Sequence, residues 1–245
     1  MDKLATAGKW LYAAAFFVFG IQHFMYAGFV ATLVPAFMPW HLFLAWFVGV
    51  AFVAFAASIA IDKYTRLAAL LLALMLLLFI VLLHIPRLIN TPQDVQFWTR
   101  ALQDVAIMAI AMALSGQRRL QLPARYLFAT ALMFLAMQHF AHIKFVTAKV
   151  PEWFSGGAIW DYLVGAFIII AAIGIISNRY GGLPAVTLGI FLVAFGLLYH
   201  LPLMIANIYD GQVWTASMLD FAIAGGTFTI ANLQARYYKT VALAT

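Results

Sequence analysis

The sequence predicts an all-α, polytopic membrane protein of eight transmembrane helices, built as two parallel four-helix repeats. Three observations carry this reading. First, 66% of the 245 residues are hydrophobic and 9% are charged, too little polar surface to cover a soluble domain. Second, eight apolar stretches, at about 10–27, 41–61, 66–86, 98–114, 126–143, 159–177, 183–203 and 214–233, each approach the roughly 20 residues a spanning helix needs. Third, residues 20–114 match residues 136–230 at a constant offset of 116 without a gap.

Each stretch reads as a helix because hydrocarbon offers backbone polar groups no partner outside the segment. A barrel would need alternating polarity, and Leu70–Leu83 has none. The first stretch runs past Tyr12 to Gln22-His23 with no small-residue cleavage signal. Its counterpart at 126–143 is internal, so the first is expected to be a retained span rather than a signal peptide. The next three stretches complete a repeat over 1–114. A polar, basic linker at 115–125 leads to a second repeat over 126–245. Cysteine is absent, which removes disulfides and thiolate metal sites.

Orientation follows from the basic residues. Lys3, Lys9, Lys63, Arg66, Arg118, Arg119, Arg125, Arg179, Arg236 and Lys239 fall at one set of helix ends, and only Arg87, Arg100, Lys144 and Lys149 at the other. The positive-inside rule then places both termini in the cytoplasm. The net charge of +6 is the signature of loops facing anionic membrane lipid and calls for no nucleic acid. Four spans per repeat, an even number, relate the halves by a pseudo-two-fold axis along the membrane normal.

The polar residues repeat together. Gln22-His23-Phe24 returns as Gln138-His139-Phe140, Val34-Pro35 as Val150-Pro151, and His84 and Pro86 as His200 and Pro202. Trp98-Thr99 returns as Trp214-Thr215, and Asp104 as Asp220. The predicted topology puts the repeated His and Asp residues in the outer third of the membrane, on non-adjacent helices. Ionisable residues inside a membrane are costly, so a cluster of them at one depth reads as a site.

The segment Phe19–Phe24, the run Val34–Trp40 and Val48-Gly49 resemble the DoxX-like membrane proteins. Met137–Phe140, Val150-Pro151 and Val164-Gly165 carry a weaker version. The whole chain thus resembles a tandem duplication of that four-helix unit. The resemblance implies a bacterial inner-membrane protein linked to redox metabolism, quinones or oxidative stress. The helix-two Ser and Glu of that family are Val48 and Phe52 here, and Val164 and Ile168 in the second half. No role for that carboxylate carries over.

Neutral imidazoles ligate haem iron and transition metals, so His23, His84, His139 and His200 are the candidate ligands. His142, three residues from His139, is a fifth. Asp104 and Asp220 are the candidate catalytic groups, able to orient a ligand His or to take a proton with it. Gln22 and Gln138 beside the histidines, and Trp98 and Trp214 in register with the acids, are candidate cofactor contacts. The competing readings are interhelical hydrogen bonds for the His–Asp pairs and interfacial anchoring for the Trp residues. Asp94 and Asp210 read as residues that cap a helix or face water.

The expected function is a membrane redox protein, an oxidoreductase or a subunit of one. It would bind haem or a transition metal near the outer face and exchange electrons with membrane quinone or a redox partner protein. The alternatives are a transporter or binding protein for a small molecule and a structural subunit of a membrane complex. Against transport stands the expectation that the spans lack paired mid-helix Gly or Pro breaks, since Pro86, Pro184 and Pro202 all fall near helix ends.

Overall fold

The computed structural model describes residues 1–147 and 157–242, with side chains through residue 238. Lys149 and Val150-Pro151 lie outside the described residues. The protein is all-α. Among the described residues, eight helices are long and apolar enough to cross a membrane.

The first repeat runs α1 (Asp2–Met25), α2 (Ala27–Leu33), α3 (His41–Ala60), α4 (Thr65–Phe79), α5 (Ile85–Asn90) and α6 (Val95–Leu114). The second runs α7 (Arg118–Ala141), α8 (Ile143–Thr147), α9 (Ala158–Ser177), α10 (Leu183–Phe195), α11 (Leu201–Ala206) and α12 (Gly211–Ala242). The bounds of α1 and α7, and of α5 and α11, coincide at the offset of 116. Asp94 caps α6 by accepting from the backbone of Gln96 and Phe97, and Asp210 caps α12 through Gln212 and Val213.

Between α4 and α5 the chain makes a wide π-helical turn at Ile80–His84, and between α10 and α11 another at Gly196–His200. The cause is the proline two residues beyond each His. Pro86 and Pro202 offer no N–H to the carbonyl four residues back, and their rings press against it. The helix widens instead, with Ile85 N–H donating to Ile80 O and Leu201 N–H to Gly196 O. The helix then continues, so the third and seventh spans extend over Thr65–Asn90 and Leu183–Ala206. Pro86 and Pro202 lie near the ends of these spans, as expected, and the wide turns they cause add a paired interruption that the apolar pattern does not show. A His-x-Pro pair in register places the same interruption inside both, and π-turns concentrate at functional positions.

The long helices form a closed ring in chain order, each packed on its neighbour, with α12 closing back on α1. Across the middle of the ring, α6 also meets α12. A Cβ built on Gly226 would strike the Ile110 side chain, and these two residues are equivalent in the repeat. Equivalent residues in contact mark the local two-fold axis. On the rim, Gly8 and Gly225 let α1 and α12 approach backbone to backbone: a Cβ on Gly8 would lie 2.2 Å from the Gly225 carbonyl oxygen. Small residues replace a hydrophobic drive between helices in lipid, where close packing supplies much of the attraction.

Candidate functional site

Each wide turn delivers its His to the central helix beside it. His84 Nε2 lies 2.8 Å from Asp104 Oδ2, and His200 Nε2 lies 2.6 Å from Asp220 Oδ2. A carboxylate that is ionised only accepts, and Nε2 then carries the hydrogen and donates to it. From the helix ends, His84 sits about 9 Å and Asp104 about 14 Å along their spans at 1.5 Å per residue, on the side opposite the termini. The first pair is largely buried. Asp220 keeps 31% of its side chain exposed while His200 keeps 6%.

The two pairs differ around the ring. Ser217, wholly buried one turn before Asp220, places its Oγ 3.0 Å from His200 Nδ1. With Nε2 carrying the hydrogen, Ser217 O–H donates to the Nδ1 lone pair. The equivalent of Ser217 is Ala101, so the Nδ1 lone pair of His84 has no such donor. Phe195, Tyr199 and Phe221 surround His200.

Arg100 lies one turn before Asp104 on α6 and within electrostatic reach of both Asp220 and Asp104. Its Nη1 also donates to Gln103 Oε1 at 3.4 Å. From sequence alone Arg100 is one of the basic residues at the outer helix ends. Its equivalent is Ala216, so one cation serves both carboxylates. Tyr12 O–H donates to Ile107 O at 2.7 Å and lies in electrostatic reach of Asp104, as Tyr199 does of Asp220. Arg100, Ser217, Tyr12 and Tyr199 have no polar equivalent at the offset, so a search for repeated polar residues passes over them. Helical spacing alone could have found two of them: Arg100 is four residues before Asp104, and Ser217 three before Asp220.

The other candidates are placed elsewhere. His23 donates Nδ1–H to Phe19 O at 2.8 Å and packs edge-on against Phe52. Its Cβ abuts Gly49, as the Cβ of His139 abuts Gly165, so both histidines fill the crossing of the first two spans in their repeat. His139 Nδ1 is buried without a hydrogen-bond partner among the described residues, with Asp161 in electrostatic reach. His142 is exposed at the end of α7. Among the described residues no three His, Cys, Asp or Glu side chains gather to hold a metal ion. His84 and His200 are hydrogen-bonded to carboxylates, and His23 and His139 pack at helix crossings.

Gln22 and Gln138 are ties between repeats. Gln22 Nε2 donates to Gly211 O at 3.0 Å while its Oε1 accepts from Thr215 at 3.1 Å. Gln138 Oε1 accepts from Thr99 at 2.8 Å. Each joins the first span of one repeat to the last span of the other. Trp98 is exposed at the membrane edge, donating Nε1–H to Pro92 O, an interfacial anchor. Trp214 is half-buried, and its Nε1 has no partner among the described residues.

Neither a protein-family model, nor a curated protein, nor a solved structure matches the chain.

Proposed function

We propose that the protein binds a small hydroxyl-bearing ring molecule of the quinol class from the outer side of the membrane and accepts its proton on His84. The observation that carries this reading is the His84–Asp104 pair, with Arg100 in reach of Asp104 and of Asp220. With Nε2–H held by Asp104, the lone pair of His84 is on Nδ1, where it can take a proton. Asp104 then stabilises the imidazolium, and Arg100 balances the oxyanion left on the ligand. A low-dielectric site strengthens each of these interactions.

The resemblance to DoxX-like proteins and the one-sided charge pattern favour the same setting, a bacterial inner membrane with both termini in the cytoplasm. The paired wide turns support a second reading, a carrier for this class of molecule, since interrupted helices in both halves mark binding sites in transporters. Flux of a quinol headgroup across proteoliposomes would separate carrier from receptor.

The test is a comparison of 2,3-dimethyl-1,4-hydroquinone with its dimethyl ether, read by thermal unfolding in detergent and by the ultraviolet absorption of the hydroquinone anion formed when its proton passes to His84. The dihydroxy compound is expected to stabilise the wild type and to be lost as a ligand in Asp104→Asn and Arg100→Gln. Equal stabilisation by the ether, which has no proton to give, would overturn the reading.

A further inference from the structure

A second polar feature lies at the opposite membrane face, independent of the His–Asp pairs. In the first repeat Lys9 on α1 bonds Asp62 at 3.0 Å. The offset maps Lys9 to Arg125 and Asp62 to Asn178. Asp62 and Asn178 share the same left-handed backbone, with φ of 51° and 52°, so the two turns are built alike. The second repeat has therefore kept and enlarged the cation while losing the carboxylate. Asn178 does not substitute for it, because its Oδ1 accepts from Gln234 Nε2 at 2.9 Å.

Arg125 is 5% exposed. Its Nη2 donates to the Tyr126 hydroxyl oxygen at 3.3 Å, and its guanidinium lies over the rings of Tyr126 and Tyr237. Its Nε has no hydrogen-bond partner among the described residues. A guanidinium carries five donors in a fixed fork, and among the described residues one phenol and two ring faces answer it. Cation–π contacts offset only a fraction of the desolvation of a buried charge. The acids of this face are engaged: Asp62 by Lys9, and Asp2 by Arg236 and Asn232.

We infer that Arg125 holds a phosphate-bearing anion at the membrane face that carries the chain termini. The planar fork matches phosphate oxygens bidentately. Arg118 and Arg119 begin the same helix and Arg179 follows Asn178, so the surrounding field is positive. Tyr126 and Tyr237, both exposed, flank the guanidinium between it and the surroundings. A phospholipid headgroup and free inorganic phosphate present the same chemistry to Arg125.

The experiment is native mass spectrometry of delipidated protein titrated separately with phosphatidylglycerol and inorganic phosphate, in wild type and Asn178→Asp. The variant supplies the carboxylate that the first repeat already has, so it is expected to fold. Binding of one equivalent to the wild type and about tenfold weaker binding to Asn178→Asp is expected. Retention of phosphatidylglycerol alone identifies a lipid, and retention of inorganic phosphate identifies a soluble anion. Equal binding to both proteins, or no binding of either probe, overturns the inference. Thermal unfolding with each probe gives an independent reading: the rise is expected at about tenfold lower probe concentration for the wild type than for the variant.

Discussion

The difference between the two His–Asp pairs rests on one hydroxyl, and it can be moved. Ser217 O–H occupies Nδ1 of His200 at 3.0 Å, whereas Ala101 at the equivalent place leaves Nδ1 of His84 open. Ala101→Ser is therefore expected to close the base, and Ser217→Ala to open a second one. Interhelical hydrogen bonds in membranes contribute about 0.6–1.7 kcal/mol. A ligand that must displace the hydroxyl introduced by Ala101→Ser should bind about three- to eighteenfold more weakly. Because Ser217 is fully buried, its removal strands Nδ1 of His200 and should cost about 1–3 kcal/mol of stability. The assay is titration of the dimethylhydroquinone by thermal shift and by the absorption of its anion in the two variants. If Ala101→Ser binds the compound as tightly as wild type while Ser217→Ala loses it, His84 is not the base and the chemistry belongs to the second repeat.

Three further outcomes follow from the packing and the loops. Gly8→Ala places a methyl 2.2 Å from the Gly225 carbonyl oxygen, so α1 and α12 must separate. Overpacking of this kind costs about 1–3 kcal/mol, while Gly28→Ala, with open space around it, serves as a neutral control in the same unfolding measurement. Gln22→Ala removes two ties between α1 and α12 and is expected to lower the unfolding temperature without changing hydroquinone affinity. Its hydrogen-bond partners are Gly211 and Thr215, neither of them a member of a His–Asp pair. The Lys9 ammonium, through its hydrogen bond and its charge, holds the Asp62 carboxyl below the ordinary Asp range. A depressed folded-state value means the contribution is present above the unfolded carboxylate range and lost as pH falls through the folded one. Unfolding of wild type and Asp62→Asn should therefore differ at neutral pH and converge in acid, by a small amount because Asp62 is exposed.

The fold was legible because membrane helices are written in composition, and a duplication without gaps writes its own topology twice. The His–Asp pairing was legible for the same reason: His84, Asp104, His200 and Asp220 kept identity and register. What stayed hidden has two physical causes. The wide turns could not be read as breaks because Pro86 and Pro202 fall at the ends of the apolar stretches. A helix that widens to accept a proline keeps going, and the 6 residues of Ile85–Asn90 extend the span. The metal reading gained no support because imidazoles at one depth need not point to one centre. His23 and His139 are turned toward Gly49 and Gly165, where a bulky neighbour would not fit, and composition says nothing about azimuth around a helix. The residues that individualise the site, Arg100 and Ser217, were invisible to the repeat because Ala216 and Ala101 replaced their equivalents.

That loss of symmetry is itself informative about mechanism. A centre with the repeat intact would hold two carboxylates with either two arginines or none. With an Arg at both positions each carboxylate would have its own fixed cation. With none, neither carboxylate would have one, in a medium where an unpaired charge is expensive. With Arg100 alone, one fixed cation lies in reach of both Asp104 and Asp220. Of the two imidazoles, His200 has its second nitrogen occupied by Ser217, and Ala101 puts no such donor beside His84. In the proposed reading the two substitutions act together: Ala216 leaves a single fixed cation to balance the ligand's oxyanion, and Ala101 leaves Nδ1 of His84 as the one position for its proton.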